Sequence, residues 1–227
     1  MNWLYDFLSA LFQRGSLMEP VEKIVHKVIW RLQPAWFYYE RFVIMNYHFD
    51  TPLTCTRRLK NIRTRVGESS DMPALHRFMD RGEEYACRFK KGDQVIVAEL
   101  NDQIIGMQWI ETGQVHYEIK NEYCFPLPIK SFWTYDGHIL VDWQVKGVWA
   151  GITDELICYL KKYAIDTVYC MVNGLNRHSI NSHLRYGYRI RRQVVLIRFF
   201  GLRIQFERNL DQMTLNGDWL VKWIKRS

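Results

Sequence analysis

Imidazole is the side chain whose charge changes near neutral pH, so a histidine on a helix face beside a hydroxyl is a natural place to look for proton transfer. The segment Asn176-Arg-His-Ser179-Ile-Asn-Ser-His183-Leu-Arg-Tyr-Gly187-Tyr188 offers one, directly after the apolar run Thr167–Val172. Ser179 and His183 are four residues apart and share a helix face, while Gly187 allows the turn that carries Tyr188 into a following strand. A second group is Asp136, His138 and Asp142. In one strand all three project from the same face, where a carboxylate or imidazole can take a proton. Glu111, at the end of an upstream hairpin, is a further candidate. Trp109, Trp133, Trp143 and Trp149 cluster around these groups and suit either an apolar pocket or plain sheet packing.

These residues need elements to position them, and the hydrophobic pattern supplies a mixed order. Trp3 to Phe12 and Val21 to Leu32 repeat apolar residues at helical spacing, the second behind Pro20 and opposite Lys23, Lys27 and Arg31. Trp36 to Phe49 is aromatic and β-branched and reads as a strand. Then come a short strand Ile62–Val66, a helix from Asp71 to about Asp80 capped by Ser70, and a helix over Glu83–Lys90. Val95–Leu100 and Ile104–Thr112 form a hairpin about Asn101-Asp102. A strand follows over Phe132–Trp143, then a helix over Gly151–Tyr163, a strand over Thr167–Val172 and a helix over Arg177–Tyr186. The last hairpin turns near Gly201, and its second arm sets Leu202, Ile204 and Phe206 inward against Arg203, Gln205 and Glu207. Asp218–Lys225 reads as a closing helix. The fold class is α/β (α+β mixed sheet): a central mixed β-sheet flanked by helices, with an N-terminal extension over 1–60 packed on a main domain over 61–210 and a helical tail over 211–227.

The Asn176–Tyr188 segment resembles the pattern N-x-x-[SA]-x-x-x-Y-x-x-x-G-[FY] of the GNAT superfamily of acetyl-CoA-dependent N-acetyltransferases. Asn176, Ser179, Gly187 and Tyr188 match in register, and His183 stands where the family has Tyr. Upstream, Val148-Trp-Ala-Gly151-Ile-Thr153 is similar to the family's pyrophosphate loop, [QR]-x-x-G-x-[GA]. It departs at Val148, at Trp149, where Gly is common, and at Thr153; Lys146 and Gly147 fit a shifted register. The resemblance covers roughly Asn61 to Arg208, and the order of elements agrees throughout.

The resemblance implies an acyltransferase that moves an acetyl or other acyl group from acyl-CoA to a small amine, with no metal. The start of a helix at Val148, Trp149, Ala150, Gly151, Ile152 and Thr153 would offer N–H groups and a positive dipole end to the diphosphate of coenzyme A, with Arg177 as a further counter-charge. Backbone N–H groups at Trp143, Gln144 and Val145 would hold the pantetheine arm and polarise the thioester, with Asn176, Ser179 and His183 beside it. His183 would protonate the departing thiolate, and Asp142 or Asp136 would serve as general base. Two alternatives share the fold: a transferase fed by an acyl carrier protein or a charged tRNA, and a non-catalytic module that binds a partner.

Composition narrows the remaining choices. The chain has 227 residues, 48% hydrophobic and 24% charged, enough for a substantial core without staples. Five scattered cysteines with no C-x-x-C pair indicate a reduced, cytoplasmic protein. Met1–Arg14 lacks the basic start and cleavage site of a signal peptide, and no run approaches the roughly 20 apolar residues that span a bilayer. Net charge is +7, with seven Arg between Arg185 and Arg208 opposed only by Glu207. These read either as a site for an anion or as a solvated strand face; no nucleic-acid motif accompanies them, and nucleic acid is not expected. The basic amphipathic helix can dock on its own domain, in a homodimer or on a membrane surface.

Overall fold

The structure, a computed structural model, describes residues 37–51, 58–118, 122–200, 202–210 and 220–224. Both N-terminal helical segments expected above, together with Cys55, lie outside the described residues. The chain divides into two compact units. The smaller holds Met1–Val43, Asn173–Leu175 and Arg192–Ser227, and the larger holds Ile44–Val172 and Asn176–Arg191. The aromatic run read as a strand is β1 (Phe37–His48), whose C-terminal half Phe42, Ile44, Met45 and Tyr47 is buried.

In the larger unit β2 (Arg63–Val66) is followed by α1 (Met72–Leu75), α2 (Gly82–Lys91), β3 (Gln94–Leu100) and β4 (Gln103–Glu111). The β3–β4 turn is the expected Asn101-Asp102 pair, both residues in the left-handed region at φ 50° and 61°, as a two-residue hairpin requires. The helix expected over Asp71–Asp80 is shorter. Ser69–Asp71 forms a 3-10 turn, α1 covers one further turn, and Phe78 N–H returns to the Leu75 carbonyl (3.0 Å). Ser70 is not its cap; Asp71 instead accepts from the Glu68 N–H (2.8 Å) and from Arg65 (2.7 and 2.8 Å).

A small hairpin, β5 (Val115–Glu118) and β6 (Tyr123–Pro126), precedes β7 (Ser131–Ile139). Then come α3 (Val148–Lys161), β8 (Thr167–Asn173) and α4 (Arg177–Arg185). The strands run in the order β8-β7-β4-β3-β2, with β7–β8 parallel and the others antiparallel. Alternation divides the sheet's two faces. Val95, Val97, Met107 and Trp109 pack with Leu75 and Tyr85 from α1 and α2, all fully buried. On the opposite face α3 lies against β2, β3 and β4. It comes so close at Gly106 that a Cβ there would stand 2.9 Å from Val148 and 3.0 Å from Ile152. Only a residue without a side chain fits that contact.

Most of β9 (Arg189–Phe199), with β10 (Leu202–Asn209) and β11 (Leu220–Ile224), makes an antiparallel ribbon in the smaller unit. Two expectations are corrected here. The tail read as a helix over Asp218–Lys225 is the strand β11, consistent with its Leu, Val, Trp and Ile content. The alternation of β10 is also not as expected: Phe206 is buried as read, but Leu202 is exposed and Arg203, Gln205 and Glu207 are buried as well. These polar groups satisfy one another. Arg203 donates to Gln205 (3.2 Å), Gln205 to Glu207, and Arg192 to Glu207 (3.4 Å). Several of the clustered arginines are therefore neither a solvated face nor an open anion site; in the larger unit Arg191 is similarly tied to Asn46 (2.8 Å).

Candidate active site

Two parallel strands that part company leave a gap with unpaired backbone edges, and such gaps at strand C-termini are the usual ligand crevices of open α/β sheets. The β7–β8 ladder runs only from Ser131↔Thr167 to Thr134↔Cys170, although β7 continues to Ile139 and β8 to Asn173. Beyond Thr134 the β8-facing edge of β7 has lost its partner, and a notch opens. The cause lies in β7. Tyr135 pairs with Trp109 and His138 with Met107, so Asp136 and Gly137 together stand opposite Gln108, with Asp136 left-handed at φ 50°. Two residues facing one, the first of them left-handed and the second a glycine, make a β-bulge.

The Asp136 carboxylate pins that bulge. It accepts from Arg88 (2.6 Å), approaches Arg81 (3.5 Å) and lies 2.8 Å from His138 Nε2. Burial pushes its pKa up, but the hydrogen bonds from His138 and Arg88 outweigh burial and hold it down to about 2. The Arg88 guanidinium is itself buried, 4.7 to 5.3 Å from the ring centroids of Tyr85, Trp109 and Tyr135. Asp136 is thus a fixed anion that holds the backbone. Asp142 does not share its strand: β7 ends at Ile139, and Asp142 sits exposed in a 3-10 turn over Val141–Trp143. That turn also uses the N–H groups of Trp143 and Gln144, which go to Leu140 (2.8 Å) and Val141 (3.2 Å). Neither is left for a thioester carbonyl, and Val145 is fully exposed in a left-handed conformation.

The helix after β7 starts three residues earlier than expected. Gly147, left-handed at φ 88°, is the N-cap of α3, and Val148, Trp149 and Ala150 form its first turn. No side chain caps this end, so the first N–H groups are unclaimed by any side-chain cap, and the dipole's positive pole lies at this turn. Lys146 and Gly147, the residues of the shifted register, directly precede the helix. Gly151, Ile152 and Thr153, expected at the phosphate, lie within the helix; Ile152 and Thr153 are buried, and Thr153 Oγ1 returns to the Trp149 carbonyl (2.9 Å). Gly151 fits there because a Cβ would reach Thr64 at 3.3 Å and Arg58 at 3.4 Å.

Trp149 connects the helix to the bulge. Its ring lies on Gly137, where a Cβ would meet it at 2.5 Å, and its Nε1 is buried without a hydrogen-bond partner among the described residues. Gln108 Oε1, opposite the bulge, is likewise buried and unpartnered. Trp149 also meets His183 edge-on at 5.7 Å. Helix α4 forms close to the range expected, and Asn176, which the resemblance placed beside the donor, caps it: its Oδ1 accepts from the Ser179 N–H (3.0 Å). At the other end Gly187, at φ 91°, lets the N–H groups of Gly187 and Tyr188 return to Leu184 (3.0 Å) and His183 (3.1 Å), a Schellman closure. His183 is buried between Trp149 and Tyr188, and its Nδ1 donates to the Ser179 carbonyl (2.7 Å). Burial lowers its proton affinity, and the Ser179 bond only partly offsets this. A neutral ring so held presents Nε2 as an acceptor.

Glu111 is buried at the far end of β4, bonded to Lys91 and to His116 of β5. Sequence reasoning passed over His116, Arg88 and Tyr135: the Asp partners of Arg88 and Tyr135 lie 48 and 42 residues away, and Glu111, five residues from His116, meets it across two strands. Only the Glu84–Arg88 pair, at helical spacing, carried a local signal. Among the described residues no helix is long and apolar enough to cross a membrane.

No family model matches the sequence, and no curated protein matches it. Solved structures do. A GCN5-related N-acetyltransferase from Sphaerobacter thermophilus is similar with a TM-score of 0.53 at 13% identity, over 75% of this chain and 55% of its own. The glucosamine N-acetyltransferase region of a fungal multi-domain GH3 β-N-acetylglucosaminidase reaches 0.53 at 17% identity, over 76% of this chain and 22% of that one. A Drosophila protein reaches 0.51 at 11% identity, over 78% of this chain and 56% of its own. The chain spans little more than half of the Sphaerobacter protein, and identities this low speak to architecture. With the strand order and its helices on both faces, they give this chain the fold of the GNAT superfamily, a large mixed sheet flanked by helices.

Proposed function

We propose that the protein is an acyltransferase that takes an acetyl or other short acyl group from acyl-CoA and delivers it to an amine. The observation that carries this reading is the coincidence, in one unit, of the β7–β8 notch with an uncapped helix N-terminus at Gly147–Ala150. An extended thioester arm could lie along the unpaired edge of β7 while its diphosphate meets the first turn of α3 and Lys146. The amine attacks the carbonyl carbon, the C–S bond breaks, and the thiolate leaves as coenzyme A.

His183, with Ser179, would line the sulfur side, and Asn176 would hold their helix through its cap. Being neutral, His183 would act through its Nε2 lone pair, orienting the arm rather than arriving as a ready acid. Trp149 would supply an indole N–H and an apolar wall. Four unpaired cysteines, Cys87, Cys124, Cys158 and Cys170, fit a reducing compartment such as the cytoplasm.

Calorimetric titration with acetyl-CoA, on the wild type and on Gly147→Val, tests the reading. Saturable binding lost in the variant is expected. A folded protein that does not bind acetyl-CoA would instead favour a carrier-protein or aminoacyl-tRNA donor, or a non-catalytic module on the same fold.

A further inference from the structure

An amine acceptor reaches neutral water as an ammonium ion and must lose a proton before it can attack. Asp136 is committed to Arg88 and His138, and the Nδ1 of His183 to Ser179. His116 is better placed. It is 5% exposed, its Nδ1 bonds the Glu111 carboxylate, and its Nε2 is buried with no hydrogen-bond partner among the described residues. A carboxylate can only accept, so the neutral ring carries its proton on Nδ1 and its lone pair on Nε2. Burial pushes Glu111 towards the neutral acid, but the bonds from His116 and Lys91 hold it below the usual carboxylate range. It therefore remains the anion that fixes this tautomer.

The position also fits. The His116 ring stacks on Trp133 (4.1 Å, 14°), and Trp133 lies one residue before Thr134↔Cys170, the last rung of the β7–β8 ladder. The imidazole thus abuts the closed end of the notch, on the face that α2 covers. Glu118 Oε2 stands 3.9 Å from Nε2, and Asp93 is bonded to Tyr135 (2.7 Å), whose ring is 6.3 Å from His116. Lys91 lies between Glu111 and Asp93, and Arg88 is paired with Asp136 and Glu84.

We infer that Glu111 and His116 form a proton-accepting dyad for the acceptor, and that the acceptor is a primary alkylamine. Its ammonium would be drawn to Nε2 by the carboxylates of Glu111, Glu118 and Asp93. This rests on the acyl-CoA reading above. His116 Nε2 takes one proton from the ammonium and later yields it to solvent. The amine nitrogen bonds to the thioester carbon, and the second N–H proton goes to the sulfur as the C–S bond breaks. The sum is amide, coenzyme A thiol and one released proton.

The full-length protein is first titrated with acetyl-CoA, and thiol release is then followed with propylamine, tyramine and spermidine from about pH 6 to 9. His116→Gln is expected to leave acetyl-CoA affinity within about twofold, to lower kcat/KM for the amine by about 10² to 10⁴, and to abolish the acid limb of the pH profile. Imidazole in the buffer should restore part of the rate to His116→Gly, which a purely stacking role would not allow. Glu111→Gln, nearly isosteric, carries the same test should His116→Gln fail to fold. A His116→Gln protein with the wild-type rate and profile overturns the dyad. So does a wild type that binds acetyl-CoA yet acetylates none of the three amines. A folded wild type that does not bind acetyl-CoA removes the underlying reading and the dyad with it.

Discussion

Helices α3 and α4 both begin past the C-terminal ends of adjacent parallel strands, yet they are started by opposite means. At α4 a side chain does the work: Asn176 claims the Ser179 N–H, and Gly187 and Tyr188 close the far end. At α3 the backbone does it, with left-handed residues at Val145 and Gly147 and no side-chain cap. A capped end has used donors that a ligand could otherwise take, whereas an uncapped end keeps them. Under the proposed acyl-CoA reading, the anion would therefore go to α3, while α4 holds His183 in place.

The α3 end depends on the bulge in β7, and the largest effect is expected there. Arg88→Met leaves the Asp136 carboxylate buried without its main counter-charge. Breaking such a pair costs about 3–5 kcal/mol, and chemical denaturation should show it. Arg88→Met with Asp136→Leu should recover much of that loss. A single variant as stable as the wild type would mean that the bulge does not need the pair, and the start of α3 would need another support.

Gly147→Val comes next. A β-branched residue in the left-handed region costs about 1–2 kcal/mol and forces the turn to open. Acetyl-CoA affinity should fall at least about tenfold, a loss of about 1.4 kcal/mol in binding. Equal affinity in the variant would break the assignment of the anion to α3. Gly151→Arg is not an equivalent probe, because Gly151 is packed against Thr64 and Arg58 inside the helix, so that variant would report on packing.

The same contrast explains what could be read from the sequence. Gly187 acts on neighbours within one helix, so the closing turn of α4 was legible, although the Asn176 cap at its start went unread. The Asn101-Asp102 turn was legible for the same local reason. The start of α3 was misplaced by three residues because it is set by backbone angles at Val145 and Gly147, and a left-handed valine leaves no trace in composition. Asp142 was put on a strand that in fact stops at Ile139, before the 3-10 turn. The Arg88–Asp136 and Glu111–His116 pairs were out of reach, since each joins different elements through the fold. In β10 the polar residues proved to be buried as well as Phe206, because Arg192, Gln205 and Glu207 satisfy each other in a way that binary patterning does not weigh.

Acid unfolding separates the two helix starts further. Asp136 has a folded-state value of about 2 against an ordinary 3.8, so the unfolded chain binds the proton more readily. Its contribution is complete above about pH 4 and is lost as the pH falls towards 2, amounting to about 2 kcal/mol. Denaturant melts at pH 5 and pH 2.5 should show this loss in the wild type, and less of it in Asp136→Asn.

For α4 the cap itself should cost less. Asn176→Ala removes one hydrogen bond at a helix start, about 1 kcal/mol, and should lower Tm by about 2–4 °C. Acetyl-CoA affinity should change by less than about twofold, equivalent to about 0.4 kcal/mol. A large loss of affinity would show that Asn176 contacts the donor and is not only a cap.

The smallest effect belongs to His183, and its sign is set by burial. The folded protein holds the imidazole proton more weakly than the unfolded chain, whose ordinary value is 6.5. Unfolding below that value therefore takes up a proton. The contribution is fully present above about pH 6.5 and is lost as the pH falls through the histidine range towards the lower folded value. Stability measured at pH 7.5 and 5.5 should drop in the wild type by more than in His183→Gln, which has nothing to protonate there. Acetyl-CoA should protect the wild type more strongly at pH 7.5 than at 5.5, because the arm would meet the neutral Nε2 acceptor only while the ring is uncharged. An equal drop in both proteins would mean that His183 is protonated without penalty, and would return it to the role of a proton donor to the departing sulfur.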